Sequence, residues 1–178
     1  MATLFNLENA GCEVRTAHDL ADLIAGLSEF QELAEATDTE EARESLKIGP
    51  EEDALKDGEI SGARLAQRHL WSWIMPPDDS LTVGDGETNT SPEMVGGEFH
   101  FVLRRPLRPA EDYNDAFVWF WDITSRLLES LKAATRGVGS LRLGQAVRTA
   151  PPHYPLRKQG VAQNDFLTVE FSIPWGDA

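Results

Sequence analysis

The sequence predicts a single α+β domain over residues 1–178, with one long helix covering an antiparallel sheet of about four strands. Apolar and polar residues alternate in segments 98–104 and 167–175, the period of a half-buried strand. Between them, apolar residues over 117–131 recur at helical spacing. Because strand segments follow one another without regularly intervening helices, the pattern favours an antiparallel layer over a parallel βαβ fold.

Composition limits the partners of the chain. Its 178 residues suit one domain, and its net charge of −14 disfavours binding to DNA, RNA or anionic membranes. No apolar segment approaches the roughly 20 residues of a membrane span. The single cysteine excludes an internal disulfide and a zinc site built from cysteines. We therefore expect a soluble, acidic protein made in a reducing cytosol, with no membrane partner.

The N-terminal part predicts two short helices. Thr16 is a favourable N-cap for a helix that extends to residue 27. A separate turn at 28–31 would bury Phe30 and Leu33 beside it. Asp38 or Thr39 can cap the second helix, which we expect to continue to residue 48. The acidic segment 49–62 reads as a surface loop insertion.

The middle of the chain predicts a strand and a long loop. Trp71 and Trp73 favour a strand over about 67–75 and would lie on one of its faces. Segment 78–96 is rich in Gly, Asp, Thr, Asn and Ser and has little to bury. We interpret it as a second loop insertion, exposed and mobile.

The segment from 97 to 134 is the predicted centre of the fold. Strand 97–104 is followed by Pro106 and Pro109, which break regular pairing, and then by a helix over 110–134 that ends at Arg136-Gly137. The apolar stripe of this helix comprises Phe117, Phe120, Trp121, Thr124, Leu127, Leu128 and Leu131. We expect a common core of Phe99, Phe101, Phe120, Trp121, Leu127, Val169 and Phe171.

The C-terminal part predicts two more strands, 140–149 and 167–175. Pro151, Pro152 and Pro155 between them predict an irregular crossing loop. The last strand alternates apolar and polar residues as regularly as strand 97–104, so the two are expected to share a sheet.

Motifs for catalysis, metals and cofactors are absent from the sequence. The histidines at 18, 69, 100 and 153 lack metal-ligand spacing, although His69 and His100 fall in adjacent predicted strands. Cys12 has no neighbouring base, and the glycine pairs lack a phosphate-binding pattern. Acidic pairs lie in polar loops. We therefore predict no catalytic, cofactor-binding or metal-binding residues.

Two features suggest a protein interface. Arg104, Arg105 and Arg108 cluster between prolines in an otherwise acidic chain, which predicts a local positive patch. Trp119 lies off the main helical stripe. These four residues are the predicted subunit or partner interface. The alternatives are a solvent-exposed loop end for the arginines and a large core with one exposed tryptophan.

Five segments follow one another in a recognisable order. They are helix 20–27 with Phe30-Gln31, segment 41–48, strand 97–103 with its proline exit, helix 115–131, and the closing strand 167–176. This order resembles the tail-terminator, or tail-completion, proteins of long-tailed bacteriophages. Segments 49–62 and 78–96 depart from the family pattern, which leaves a related neck or minor tail protein as an alternative.

The resemblance implies an α+β virion protein that forms a ring, usually a hexamer, without catalysis or cofactor. Its implied partners are copies of itself, the tail tube protein and a neck or head–tail connector protein, and DNA would pass through without specific binding. Its implied location is the tail or neck of a virion, after synthesis in the host cytoplasm. The alternative functions are an acidic binding or inhibitor module for a basic protein, and an enzyme whose site is assembled from distant residues.

Overall fold

The computed structural model describes residues 11–49, 70–75, 96–108, 111–134, 141–143, 146–153 and 166–177. Within these ranges the chain is α+β, as predicted. The helices are α1 (Cys12–Ala25), α2 (Ser28–Ala34), α3 (Thr39–Ser45) and α4 (Tyr113–Ala134). The strands are β1 (Leu46–Ile48), β2 (Trp71–Met75), β3 (Gly96–Pro106), β4 (Leu141–Leu143), β5 (Val147–His153) and β6 (Phe166–Asp177).

The described strands form one mixed sheet in the order β1-β2-β3-β6-β4, with β5 also paired to β6. The two long strands β3 and β6 pair antiparallel along their length, with Phe101 opposite Phe171, which confirms that they share a sheet. All other pairs are antiparallel except β1 with β2, which run parallel. The predicted α+β class is therefore correct, but the predicted sheet of about four antiparallel strands has too few strands and lacks the parallel pair β1 and β2.

The main core lies between one face of this sheet and the helices. Phe101 is its centre: its ring lies 5.8 Å from that of Phe171 and 6.1 Å from that of Phe30 on α2. Alternation along the strands places one residue in two on this face. The fully buried members include Leu20, Ile24, Phe30, Phe99, Leu103, Phe120, Ile123, Leu127, Val169 and Ile173.

The opposite face of the sheet carries a smaller apolar cluster. Trp71 and Trp73 are both buried there with Val102, and Met75 packs against them. Their shared face confirms the prediction for the two tryptophans. Strand β2 begins at Trp71, and the earlier part of the predicted strand lies outside the described residues.

Helix α4 begins at Tyr113, three residues later than predicted. The Asp112 carboxylate accepts hydrogen bonds from the backbone N–H groups of Asn114 and Asp115, at 2.9 and 3.1 Å, and so caps the helix. Strand β3 extends to Pro106, which pairs with Phe166, although pairing was predicted to stop before it. A proline is tolerated there because the pairing of β2 with β3 ends at Arg104, so that Pro106 has a strand neighbour on the β6 side only.

Helix α1 begins before its predicted cap. It starts at Cys12 after Gly11, and Thr16 is a buried residue of the helix rather than its N-cap. The first turn is exposed at residues 13–15, and the helix continues from it into the buried residues Thr16 and Ala17. Helix α2 confirms the separate turn, since Phe30 and Leu33 are both buried.

Helix α3 has the predicted cap and a shorter length. The Asp38 carboxylate accepts a 2.9 Å hydrogen bond from the backbone N–H of Glu41. The helix ends at Ser45, and 46–48, predicted as helix, form strand β1. Pairing with β2 is the reason: Leu46 lies opposite Ser72, whose hydroxyl donates to the carbonyl of Ser45.

The predicted strand 140–149 is two strands, β4 and β5, both paired to β6. Strand β5 continues through Pro151 and Pro152, where an irregular loop was predicted, and its pairing has register shifts. Prolines and bulges are compatible with such a strand at the sheet edge. Residues 50–62 and 78–95 of the predicted loops 49–62 and 78–96 lie outside the described residues, as does Pro155, whereas Gly96 is the first residue of β3. No helix in the described ranges is long and apolar enough to cross a membrane.

Candidate functional site

Arg104 and Arg105 lie on opposite faces of the sheet. Because β3 is extended, neighbouring side chains alternate between faces. Arg104 shares the face of Trp73, and its guanidinium carbon lies 5.1 Å from the centroid of that indole ring. Arg105 lies on the helix side, 4.8 Å from the ring centroid of Trp119 on α4. The sheet therefore separates two residues that were predicted to act together.

Arg105 forms a bidentate ion pair inside the fold. Its Nη1 and Nη2 atoms donate to the two carboxylate oxygens of Glu111 at 3.0 and 2.6 Å, and only 7% of Arg105 is exposed. The hydrogen bond from Arg105 holds the pKa of Glu111 below its usual range, more than burial raises it. The pair joins the end of β3 to the segment that enters α4.

Arg108 connects the same segment to helix α2. Its Nη2 donates to the carboxylate of Glu35, and its backbone N–H donates to Glu111 at 3.1 Å. Glu35 ends α2 in the left-handed conformation, with φ of 53°. This conformation turns the chain at the helix end and is strained for a residue with a Cβ. Arg108 therefore links the segment after β3 to the left-handed end of α2.

The prediction of one outward positive patch is therefore wrong in its geometry. Arg105 and Arg108 already contact carboxylates of their own chain, and Arg104 lies on the other face of the sheet. Trp119 is half-buried and packs against the core under Arg105. A contact of these four residues with another protein stays a prediction.

Helix α4 has a second set of apolar residues, which we call the α4 ridge: the exposed Tyr113, Val118 and Trp121, and the partly buried Phe117, which also packs against the core. Trp121 is 52% exposed and Val118 53%, and the rings of Phe117 and Trp121 lie 6.1 Å apart. The prediction that Trp121 is buried in the core is wrong. The buried stripe contains Ala116 and Ile123 instead, so it is rotated away from Trp121.

A shallow depression of about 580 Å³ lies beside the C-terminal half of α4. We call it the Arg148 groove; its lining is Glu29, Ser125, Arg126, Leu128, Glu129, Ser130 and Arg148. Arg148 of β5 donates from Nη2 to the hydroxyl of Ser125 at 3.0 Å. Its Nε atom is buried without a hydrogen-bond partner, and burial lowers the pKa of its guanidinium. The groove therefore contains two guanidinium groups and two carboxylates, and within the described residues no ion pair joins Arg148 to either carboxylate.

The helices at the other end of the layer are acidic. Segment 11–49 contains ten Asp or Glu residues and three Lys or Arg residues. Three of its exposed carboxylates on α1 and α3 are those of Asp19, Glu40 and Glu44, which we call the acidic end. None of the three forms an ion pair within the described part of the chain. By contrast, Asp22 on α1 is held by Arg43 at 2.8 Å.

Side chains that could act in catalysis or bind a metal do not cluster in the described ranges. No cluster of three or more His, Cys, Asp or Glu residues that could hold a metal ion is present there. His100 lies opposite Met75 in β2, while His69 is outside the described residues. Ser172 also lies opposite His100, but its hydroxyl donates to Glu98 at 2.7 Å.

Sequence reasoning did not identify the α4 ridge or Arg148. Trp121 is spaced like a core residue, so periodicity alone assigns it to the core, as it does Phe117, which does pack against the core. Arg148 stands in a proline-interrupted segment without clear alternation, and no local signal marks it. Comparison with known proteins gives no relative: no family model, no curated protein and no solved structure matches this chain.

Proposed function

We propose that this chain is a structural virion protein that assembles as a homo-oligomeric ring, caps the tail tube and joins it to the neck. The observation that carries the proposal is the α4 ridge, with Val118 and Trp121 each more than half exposed. Contiguous apolar residues on a surface are typical of interaction sites, and aromatic residues are enriched at such sites. The ring, the tail tube and the neck come from the resemblance in the order of segments.

The charge of the chain fits this role. Each copy carries a net charge of −14, so a closed ring would surround its passage with excess negative charge. Such a wall repels the phosphate backbone, and DNA would slide through without being held by ion pairs. Close packing of acidic copies is unfavourable in itself. The contact between copies must therefore combine apolar burial with local positive charge.

The test is the size of the purified chain and its behaviour with tail tubes. Sedimentation velocity and light scattering across a wide concentration range should reveal a ring-sized species, or a monomer that becomes a ring when tail tubes are added. Electron microscopy should then place that ring at the tube end. A chain that stays monomeric and leaves the tubes uncapped would refute the proposed function.

A second candidate is an acidic module that binds or inhibits a basic protein. The excess of carboxylates in segment 11–49 favours it, because such a surface attracts a basic partner at long range. In that case the chain should form a tight one-to-one complex with a basic protein and remain monomeric alone. The same sedimentation experiment distinguishes the two candidates.

A further inference from the structure

Strand β1 is an edge of the sheet in the described part of the chain, since β2 is its only strand neighbour there. In a parallel pair, the N–H and C=O groups of one residue point to the same side, and successive residues alternate. The N–H of Gly49 donates to the carbonyl of Ile74 on β2 at 3.0 Å. Lys47 and Gly49 therefore direct their backbone groups toward β2, whereas Leu46 and Ile48 direct theirs outward. Such outward groups are a template on which another strand can pair.

Arg43 occupies both outward groups of Leu46. Its backbone carbonyl accepts a hydrogen bond from the N–H of Leu46, and its Nη1 atom donates to the carbonyl of Leu46 at 3.0 Å. Basic residues near the end of a helix often bind the last helical carbonyls. Here the carbonyl belongs to the first residue of an edge strand, so the same contact takes up a group that strand pairing would use.

Two residues of α1 fix the position of the Arg43 side chain. Its Nε atom donates to the carboxylate of Asp22 at 2.8 Å, and its Nη2 atom lies 3.4 Å from Nδ1 of His18. The side chain is 28% exposed. All three nitrogens of the guanidinium therefore contact polar atoms, and this planar group is held on the outer side of β1.

The strand β5, on the opposite side of the sheet, is protected differently. It contains Pro151 and Pro152, and its pairing with β6 has register shifts. Prolines and bulges interrupt the row of donors and acceptors that an added strand needs. Strand β1 instead pairs with β2 in a regular register over its three residues. Besides its short length and the charge of Lys47, the protection that the structure shows for β1 is Arg43.

We propose that Arg43 blocks the β1 edge against pairing with a strand of a second copy of the chain. An approaching strand has to displace a guanidinium that is bound at three points before it can pair with Leu46. Without Arg43, the outward carbonyl of Leu46 joins the outward groups of Ile48 as pairing sites. In the purified protein, another copy is the only source of such a strand. The inference goes beyond the proposed ring, because it names a contact that the chain avoids.

The test is the Arg43→Met substitution, which keeps an unbranched side chain and removes its hydrogen-bond donors. The Asp22 side chain is 69% exposed, so its carboxylate remains hydrated when the ion pair is lost. The variant should form particles without a fixed size. Their fraction should exceed that of the wild type by at least about fivefold, the change that one net hydrogen bond supplies. Sedimentation velocity measures this fraction, and amide I infrared spectra detect the added intermolecular β structure.

A second substitution separates edge pairing from a simple loss of stability. Ile48→Pro, added to Arg43→Met, removes the outward N–H of residue 48 and leaves the hydrogen bond from Gly49 to β2 in place. Proline is tolerated in an edge strand where the N–H faces away from the sheet. The double variant also loses core contacts of Ile48, yet it should return to the discrete species of the wild type. Aggregation caused by instability alone would instead increase.

Two controls match Arg43→Met. Asp22→Asn removes the partner of the ion pair and leaves the donors of Arg43 to Leu46. Lys132→Met removes one positive charge from a helix at similar side-chain exposure, 34% against 28%. Both controls should sediment like the wild type. If either forms the same particles as Arg43→Met, the loss of the ion pair or of the charge is the cause, and the block at the edge is refuted.

The remaining outcomes separate this inference from the proposed function. If Arg43→Met stays as discrete as the wild type, or if the double variant associates as strongly as the single one, the block at the β1 edge is refuted and the ring proposal stands. If the wild type stays monomeric and leaves tail tubes uncapped, the ring proposal fails. The comparison of Arg43→Met with that monomer then still tests the edge.

Discussion

Arg105 is the residue that fixes the long helix to the sheet. Its guanidinium is held between the ring of Trp119 on α4 and the carboxylate of Glu111. The side chain is 8% exposed in this ion pair, against 23% for its partner. Removing one member of a buried pair leaves the other without compensation, and this cost exceeds the net contribution of the pair.

The Arg105→Gln substitution should therefore lower the free energy of unfolding by about 2 to 4 kcal/mol. Arg126→Gln is the matched control, because that guanidinium is 47% exposed and its ion pairs are screened by water. Urea unfolding curves of the two variants measure the difference. Equal, small losses in both would contradict a structural role for Arg105.

The same pair predicts a pH dependence of stability. Hydrogen bonding from Arg105 lowers the pKa of Glu111 from 4.5, so this group stabilises the fold when it is ionised. That stabilisation is complete above the unfolded pKa and is lost as the pH falls through the folded pKa. The stability difference between the wild type and Glu111→Gln should thus shrink from neutral pH to the acid side of 4.5. A difference that stays constant over this range would contradict the prediction.

Among the elements, α4 shows how packing selects one face of an apolar helix. Phe120 is fully buried, and its neighbour Trp121 is half exposed. Apolar side chains cover more of the helix surface than the sheet can accept, so one side of the stripe is left outside the core. That side is the α4 ridge, and the candidate function depends on it.

The Phe120→Ala substitution should destabilise the chain by about 3 to 5 kcal/mol, the usual cost of a buried aromatic side chain. Trp121→Ala removes a larger side chain one position away and should cost less than about 1 kcal/mol in the isolated chain. Chemical unfolding of both variants tests the assignment of the two faces. Losses of similar size would mean that the helix is buried on both sides.

At the scale of the whole molecule, charge is unevenly distributed. The net charge is −14, and the helices α1 to α3 carry a large excess of carboxylates. In the described ranges most arginines of α3, α4 and their flanking segments are paired with carboxylates of their own chain. Within the described ranges, carboxylates of the chain itself therefore already contact these arginines.

We expect the wild type to bind duplex DNA more weakly than about 1 μM at physiological salt, because non-specific binding requires clustered, available cations. Fluorescence anisotropy with a labelled duplex measures the affinity. A basic DNA-binding protein in the same buffer serves as the positive control. Sub-micromolar binding by this chain would refute the passage of DNA without specific contacts.

The sequence by itself determined the fold class and the central pair of strands. Alternation in segments 98–104 and 167–175 identified core residues of β3 and β6 such as Phe99, Phe101 and Phe171, because the two-residue period leaves one choice of face once a core exists. It did not show that Val102, Thr168 and Ser172 on the opposite face are buried as well. Capping chemistry at Asp38 or Thr39 likewise predicted the start of α3, and Asp38 is the cap. These signals are local, so they can be read without knowing which elements become neighbours.

Only the tertiary structure decided what depends on long-range neighbours. Segment 46–48 forms a strand because β2 pairs with it. Arg104 and Arg105 lie on opposite faces of the sheet because side chains of neighbouring strand residues alternate between its two faces. Trp121 is exposed because α4 settles on the face that contains Ala116 and Ile123. Arg148 meets α4 only because β5 pairs with β6. The periodicity of the sequence predicts which face of a helix or strand is apolar. The packing of the whole chain decides how much of that face is buried.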